Sequence, residues 1–230
     1  MRPEESQRFA DRREAGAELA TNLRTYLDEG GITERPLILG MSRGGVPVAA
    51  EIARQLDADL DVIVVTRIGL PWRPEFGVGA LAEKGPAVID HDALTRANIS
   101  VADLTPVVAM QREEIIGQLE RYRGGHGVPS VTGRVVIVVD DGMQTGVRAR
   151  AALRAIHGDL PAHLVFATPV CAAESMDRLA IEADGLVHVR CPCCYNATGL
   201  WYRDIPELTD DDVLEALHSV WDTVPVASAR

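Results

Sequence analysis

Lysine is nearly missing from this sequence: of 23 basic residues only Lys84 is one, a bias of composition on which no functional reading rests. Long apolar runs are missing too. No stretch reaches the 18 or so apolar residues that a bilayer-crossing helix needs, and the Arg- and Glu-rich beginning has no apolar signal core. A cytosolic protein with no membrane partner is therefore expected. Positive charge is in deficit, because 23 Lys and Arg stand against 34 Asp and Glu for a formal net charge of −11. That balance opposes unspecific binding to nucleic acid or anionic lipid, which needs clustered positive charge.

Cysteine is scarce as well, and Cys171, Cys191, Cys193 and Cys194 do not make a disulfide framework in a cytosolic chain of this size. Cys191-Pro-Cys-Cys194 has the two-residue spacing of a thiolate metal knuckle or a redox pair. Zinc needs four ligands, however, and the proline and the adjacency of Cys193 to Cys194 make convergence of all four thiols awkward. Packing as small apolar side chains is the expected role. A metal or redox function for Cys191, Cys193 and Cys194 stays open.

What is present is one strong motif. With 230 residues, 47% of them hydrophobic, the chain can bury one substantial core, and residues 135 to 153 organise it. Val135 to Val139 are apolar and β-branched without alternation, as in a parallel strand buried on both faces. Asp140 and Asp141 follow at the strand end, residues 142 to 146 make a tight turn, and residues 148 to 156 have helix-forming composition. Ligands bind at such carboxyl ends. The helix N-terminus offers N–H groups to an anion, while two adjacent carboxylates accept hydrogen bonds or hold a cation. A sugar phosphate meets both demands. The stretch has neither the Gly-Lys-Ser/Thr of a nucleotide P-loop nor the Gly-x-Gly-x-x-Gly of a dinucleotide fold.

An apolar strand, two acidic residues and a Thr-Gly loop resemble the signature of the type I phosphoribosyltransferases. The resemblance implies that Asp140 and Asp141 hold the ribose hydroxyls of phosphoribosyl pyrophosphate. It likewise implies that Gly142, Met143, Gln144, Thr145, Gly146, Val147 and Arg148 cradle its 5-phosphate. Two positions depart from the pattern. Arg148 stands where most members have a hydroxyl residue, and Gln144 stands where some purine-specific members have an acidic general base, a role that Gln144 cannot fill.

Taken in order, residues 9 to 28 place Ala17, Leu19, Ala20, Leu23, Tyr26 and Leu27 near helical spacing and predict an amphipathic packing helix ended by Gly30-Gly31. Residues 37 to 40 read as a strand and residues 46 to 56 as a helix with Pro47 in its first turn. Ser42-Arg43-Gly44-Gly45 between them is a second phosphate-capable turn, which in the family binds pyrophosphate. Residues 61 to 65 read as a strand. Residues 66 to 85, rich in glycine and proline, are expected to be a long loop, and the resemblance makes it a lid over the substrate with Arg67, Arg73 and Glu75 as candidates. A dimer contact is the alternative reading of that loop.

Residues 87 to 90 read as a strand, and residues 91 to 123 as a helical insertion stopped by Gly124-Gly125 that carries no chemistry of its own. His126 is taken as solvated. Residues 163 to 170 and 186 to 189 read as strands around a helix at 173 to 183. Residues 195 to 202 lie where a nucleobase-side pocket forms in the family, with core packing as the alternative for Trp201 and Tyr202. Thr209 caps a last helix whose Asp210, Asp211 and Asp212 complement its dipole.

The expected fold is α/β: a single phosphoribosyltransferase-like domain over 1 to 230, with a mainly parallel sheet of five or six strands, helices on both faces, and accessory helices. The resemblance implies transfer of a phosphoribosyl group to an unidentified acceptor with release of pyrophosphate, with Asp140, Asp141, Arg43 and Arg67 as the catalytic candidates. Mg²⁺ would be held through the substrate, and by Asp140 and Asp141 if the protein touches it directly. A homodimer is expected. The alternative is a sugar-phosphate or nucleotide sensor that keeps the fold without catalysis.

Overall fold

The computed structural model describes residues 3–124, 126 and 129–222. The chain runs α1 (Arg12–Glu29), β1 (Leu37–Met41), α2 (Gly45–Leu56), β2 (Asp59–Ile63), β3 (Val65–Leu70), β4 (Arg73–Ala82) and β5 (Val88–Ile89). It continues through α3 (His91–Ala97), α4 (Thr105–Arg123), β6 (Val135–Val139), α5 (Val147–His157), β7 (His163–Val170), α6 (Ala173–Leu179), β8 (Gly185–Arg190) and α7 (Asp210–Trp221). Gly125, expected to help stop α4, lies outside the described residues, as do the two ends of the expected 1 to 230 domain.

Five strands pair in parallel in the order β2-β1-β6-β7-β8, the α/β architecture that the sequence predicts. The unalternating run of β6 has a direct cause, since all five residues are buried. Ile137 and Val139 pack into one apolar cluster with Leu19, Leu23 and Ile52 of α1 and α2 and Leu217 of α7. Val136 and Val138 pack into the other, with Leu153, Ile156 and Leu179 of α5 and α6. Helices therefore cover both faces. Among the described residues no helix is long and apolar enough to cross a membrane.

The connections reverse direction between β1 and β6. From β1 the chain passes through α2 to β2 on one side, and from β6 through α5 to β7 on the other. A crevice opens at the strand ends of such a switch point. Local signals set the helix ends: Asp11, not named by the sequence reading, caps α1 by accepting the Glu14 N–H at 2.8 Å, and Thr209, as expected, caps α7, where it forms a capping box with Asp212.

Residues 66 to 85 are not a long loop. They form most of an antiparallel ribbon in which β3 pairs with β4 and β4 with β5, joined at its tip by Pro71 and the exposed Trp72. The glycines that suggest a loop are close-approach residues inside this ribbon. A Cβ on Gly69 would lie 2.2 Å from the Pro74 carbonyl oxygen, at a register shift of the ladder. The insertion is helical as expected, but its end is not inert: Arg123 reaches Asp61 at 3.1 Å and Glu83 at 3.2 Å. His126 is exposed yet tilted against the Trp221 ring, with centroids 4.4 Å apart.

Candidate active site

The carboxyl end of β6 delivers Asp140 and Asp141 into the switch-point crevice. Asp140 is 4% exposed, and its Oδ1 accepts the Asp141 N–H at 3.1 Å. The turn that follows enters α5 through Gly146, whose φ of 71° is left-handed and which supplies no side-chain cap. The first N–H groups of α5 are thus left to whatever occupies the crevice.

A cavity of about 480 Å³ opens there. Asp140 and residues 142 to 149 form one wall, Arg67, Glu75, Gly77 and Gly79 of the β3–β4 ribbon form another, and Asp90 and Thr198 complete the lining. Of the sequence candidates, Asp140, Gly142, Met143, Gln144, Thr145, Gly146, Val147, Arg148 and Arg67 therefore share one cavity. Asp141, Ser42, Arg43, Gly44 and Gly45 are not in its lining. They form the layer beside it. The Ser42–Arg43 peptide is cis, and Gly44 lies so close to Asp141 that a Cβ would sit 2.2 Å from its Oδ2.

Four contacts tie these parts together. Arg148 donates to the Ser42 carbonyl at 2.7 Å and so links the two turns. Arg12 Nε donates to Asp141 Oδ2 at 3.0 Å, both side chains being largely buried. Gln144 Nε2 donates to the Asn196 carbonyl at 3.0 Å, joining the phosphate turn to residues 195 to 202. There the Tyr202 hydroxyl donates to the Asp141 carbonyl at 2.6 Å. Trp201 and Tyr202 are buried with Phe9, which is core packing.

Arg43 is turned away from the cavity lining. Its Nε donates to Asp210 Oδ1 at 2.9 Å and its Nη1 to the Leu208 carbonyl at 3.3 Å. Asp210 also accepts from Tyr122 at 2.6 Å and pairs with Arg121. The capping reading of Asp210 is thus incomplete, since it gathers two arginines and a phenol as well.

Burial pushes the Asp140 carboxyl up to about 6; the Arg148 guanidinium pulls it down and the Asp141 charge pushes it up. Burial also raises Tyr195 and Tyr202, which stay protonated. The Tyr122 hydrogen bond, with help from the Arg43 and Arg121 charges, holds Asp210 below the usual carboxylate range against the opposing effect of burial.

Arg12, Asp90, Thr198 and the Tyr122–Asp210 pair escape a reading of spacing alone. Only Thr198 carries a signal, because it falls within the stretch expected to face the acceptor side.

Comparison with known proteins agrees with this geometry. A model of the phosphoribosyl transferase domain matches residues 7–184. Two Mycobacterium tuberculosis proteins, from the CDC 1551 / Oshkosh and H37Rv strains, both carry names beginning "Putative phosphoribosyl transferase" and are 35% identical over 209 residues. The match covers 91% of this chain and 46% of theirs, so the chain spans about half the length of these curated relatives. The crystal structure of TT1426 from Thermus thermophilus is similar in fold and sequence, with 40% identity and a TM-score of 0.73 over 91% of this chain and 97% of that one. A strand, acidic pair and helix-capping turn at the switch point, a domain model matched over most of the length, and relatives above 30% identity place the chain in the phosphoribosyl transferase domain family.

Proposed function

We propose that the cavity binds phosphoribosyl pyrophosphate and that the protein transfers the phosphoribosyl group to a small-molecule acceptor, releasing pyrophosphate. One observation carries this reading: a buried carboxylate, Asp140, and the uncapped first turn of α5 face the same cavity. Residues 144 to 148 would take the 5-phosphate through N–H groups, with Arg148 adding a charged donor. Asp140 and Asp141 would accept from the ribose hydroxyls. Arg67, on the opposite wall, is available to the pyrophosphate. Arg43 reaches it only by leaving Asp210.

In the transfer, a lone pair of the acceptor forms a bond to the anomeric carbon as the bond from that carbon to pyrophosphate oxygen breaks. Pyrophosphate leaves with the bonding pair and the acceptor then loses its proton to solvent or to a base. Closing the ribbon over the cavity would exclude water, the competing nucleophile. The residues fit Mg²⁺: an oxygen-rich substrate and Asp140, buried without a full counter-charge, are hard ligands, while Asp141, outside the lining and paired with Arg12, would join them only by leaving that partner. Held by Asp140 and the substrate, Mg²⁺ would supply positive charge for the departing pyrophosphate.

A second reading, a sensor without catalysis, is favoured by Gln144 and Arg43. The first has its carboxamide committed to Asn196 and cannot serve as a base, and the second is engaged by Asp210. One experiment separates the two. Phosphoribosyl pyrophosphate with Mg²⁺ should raise the melting temperature, since ligand at about 100 times its Kd adds roughly 2.7 kcal/mol to the native state. Asp140→Asn combined with Asp141→Asn should abolish that shift. Pyrophosphate release with a panel of bases and amines would support transfer, and binding without release the sensor. No binding would refute both. The homodimer and the cytosolic address belong to the same proposal and are read by light scattering and by fractionation.

A further inference from the structure

Away from the cavity, a second group of chemically capable side chains comes together. Cys171 directly follows β7, His188 lies in β8, and Cys191 directly follows β8. Their ligand atoms all lie within 4.8 Å of one another, and none of the three lines the cavity. The sheet sets this meeting. Thr168 is opposite His188 and Val170 opposite Arg190 in the parallel ladder, and the Cys171 N–H donates to the Arg190 carbonyl at 3.1 Å. Cys171 and His188 are therefore presented by paired backbone, and Cys191 is the residue directly after the end of β8.

Two details separate this cluster from ordinary packing. Cys171 is fully buried, as a small apolar residue would be, but the imidazole beside it is not satisfied: His188 Nδ1 is buried with no hydrogen-bond partner among the described residues. A buried polar atom of this kind calls for an explanation, and an ion is one of the few available. Moreover, the chain leaves the cluster through Cys191-Pro-Cys-Cys194. Cys193 and Cys194 are exposed, with sulfurs 3.9 Å apart. Exposure of both is the opposite of the packing role expected for them.

We propose that Cys171, His188, Cys191 and Cys194 form a tetrahedral zinc site. Thiolate and imidazole are the donors that zinc prefers, whereas Mg²⁺ and Ca²⁺ require oxygen ligands that the cluster lacks. A tetrahedral zinc with Zn–S of about 2.3 Å and Zn–N of about 2.0 Å holds its ligands roughly 3.5 to 3.8 Å apart. The Cys171, His188 and Cys191 ligand atoms, all within 4.8 Å of one another, must therefore draw together by no more than about 1 Å, whereas the exposed Cys194, outside that group, has to swing in. Cys194 rather than Cys193 completes the set, because two intervening residues let both thiolates of a knuckle turn toward one ion. The awkwardness seen in the sequence disappears once His188 replaces Cys193 as the fourth ligand. Loading the site sends three thiol protons to solvent.

The ion would clamp residues 191 to 198 onto β7 and β8. That segment receives Gln144 at Asn196 and places Thr198 in the cavity lining, so the zinc would stiffen one wall of the cavity without touching the ligand. The site stands on thiol and imidazole geometry and is independent of the proposed reaction.

The test uses the whole protein, purified in reductant, measured for zinc by mass spectrometry, and, after removal of metal, titrated with Co²⁺. One equivalent of zinc is expected. Cobalt should give intense tetrahedral d–d bands and a thiolate charge-transfer band that saturate together and are bleached by Zn²⁺. Cys171→Ser, His188→Gln and Cys191→Ser should each lose the spectrum, and Cys194→Ser should weaken binding at least about tenfold while Cys193→Ser does not. Because a buried substitution can unfold the chain, the wild-type titration decides first. If reduced wild-type protein takes up no cobalt, or if folded Cys171→Ser/Cys191→Ser protein still holds one equivalent, the proposal fails. A Cys171–Cys191 disulfide in reduced, metal-free protein would overturn it in favour of a redox pair.

Discussion

Asp140→Asn should make the ligand-free protein more stable at neutral pH while it weakens ligand binding. The buried carboxyl has its pKa raised from 3.8 to about 6, and burial is the main cause. The native state therefore holds this proton more tightly than the unfolded chain does, and ionisation favours unfolding. That penalty is complete above about pH 6, shrinks as the pH falls toward the unfolded value, and vanishes below it. At 1.36 kcal/mol per unit, a shift of roughly two units costs on the order of 3 kcal/mol at about pH 7.5 and on the order of 1 kcal/mol at about pH 4.5. Asparagine keeps the size, carries no charge at either pH, and its carbonyl oxygen can still accept the Asp141 N–H. Urea unfolding of variant and wild type, in chelator and without phosphate, should give a stability difference near these two values. The comparison cancels the titrating groups that do not interact with Asp140. A difference that is independent of pH, or a variant less stable at neutral pH, would refute the reasoning. A positive result would mean that the site keeps a costly charge for its ligand, as functional sites often do.

Two further outcomes follow from the same geometry. Arg12→Ala strips the counter-charge from Asp141, whose side chain is 15% exposed. It should cost about 2 kcal/mol in urea unfolding, less than the loss of a fully buried partner because both groups keep some water; a loss under about 0.5 kcal/mol would show the pair to be incidental. Chymotrypsin cleavage after the exposed Trp72 at the tip of the ribbon should slow when phosphoribosyl pyrophosphate and Mg²⁺ are added, and an unchanged rate would make the ribbon a static wall and not a lid.

What can be read from the sequence, and what cannot, divides by distance along the chain. The β6 strand, the 142 to 148 turn and the α5 helix lie within about twenty residues, and each has a local cause: β-branched residues, a left-handed glycine, helix-forming composition. Their order also implies the switch point and so the crevice. The ribbon at 65 to 82 misleads because glycine serves as chain punctuation and as close-approach residue alike, and the sequence pattern does not tell Gly69 against Pro74 from a glycine in a free loop. The partners of charged groups are harder still. Asp141 finds Arg12, and Arg43 finds Asp210, across separations of 129 and 167 residues, and His188 joins two cysteines only because β8 lies beside β7. Such meetings are decided by sheet order and helix packing, not by spacing.

That division bears on how the site would work. The turn motif assigns Arg43 to pyrophosphate, yet in the ligand-free protein its guanidinium is bound by an aspartate that also satisfies Tyr122 and Arg121. An incoming pyrophosphate would have to compete with Asp210 for it, and Asp210 would keep two of its three donors if Arg43 left. The exchange is therefore cheaper than breaking an isolated pair, since no carboxylate is stranded. Because Asp210 opens α7 and α7 packs against α2, directly after the turn that carries Arg43, the competition links the pyrophosphate turn to the last helix of the described chain.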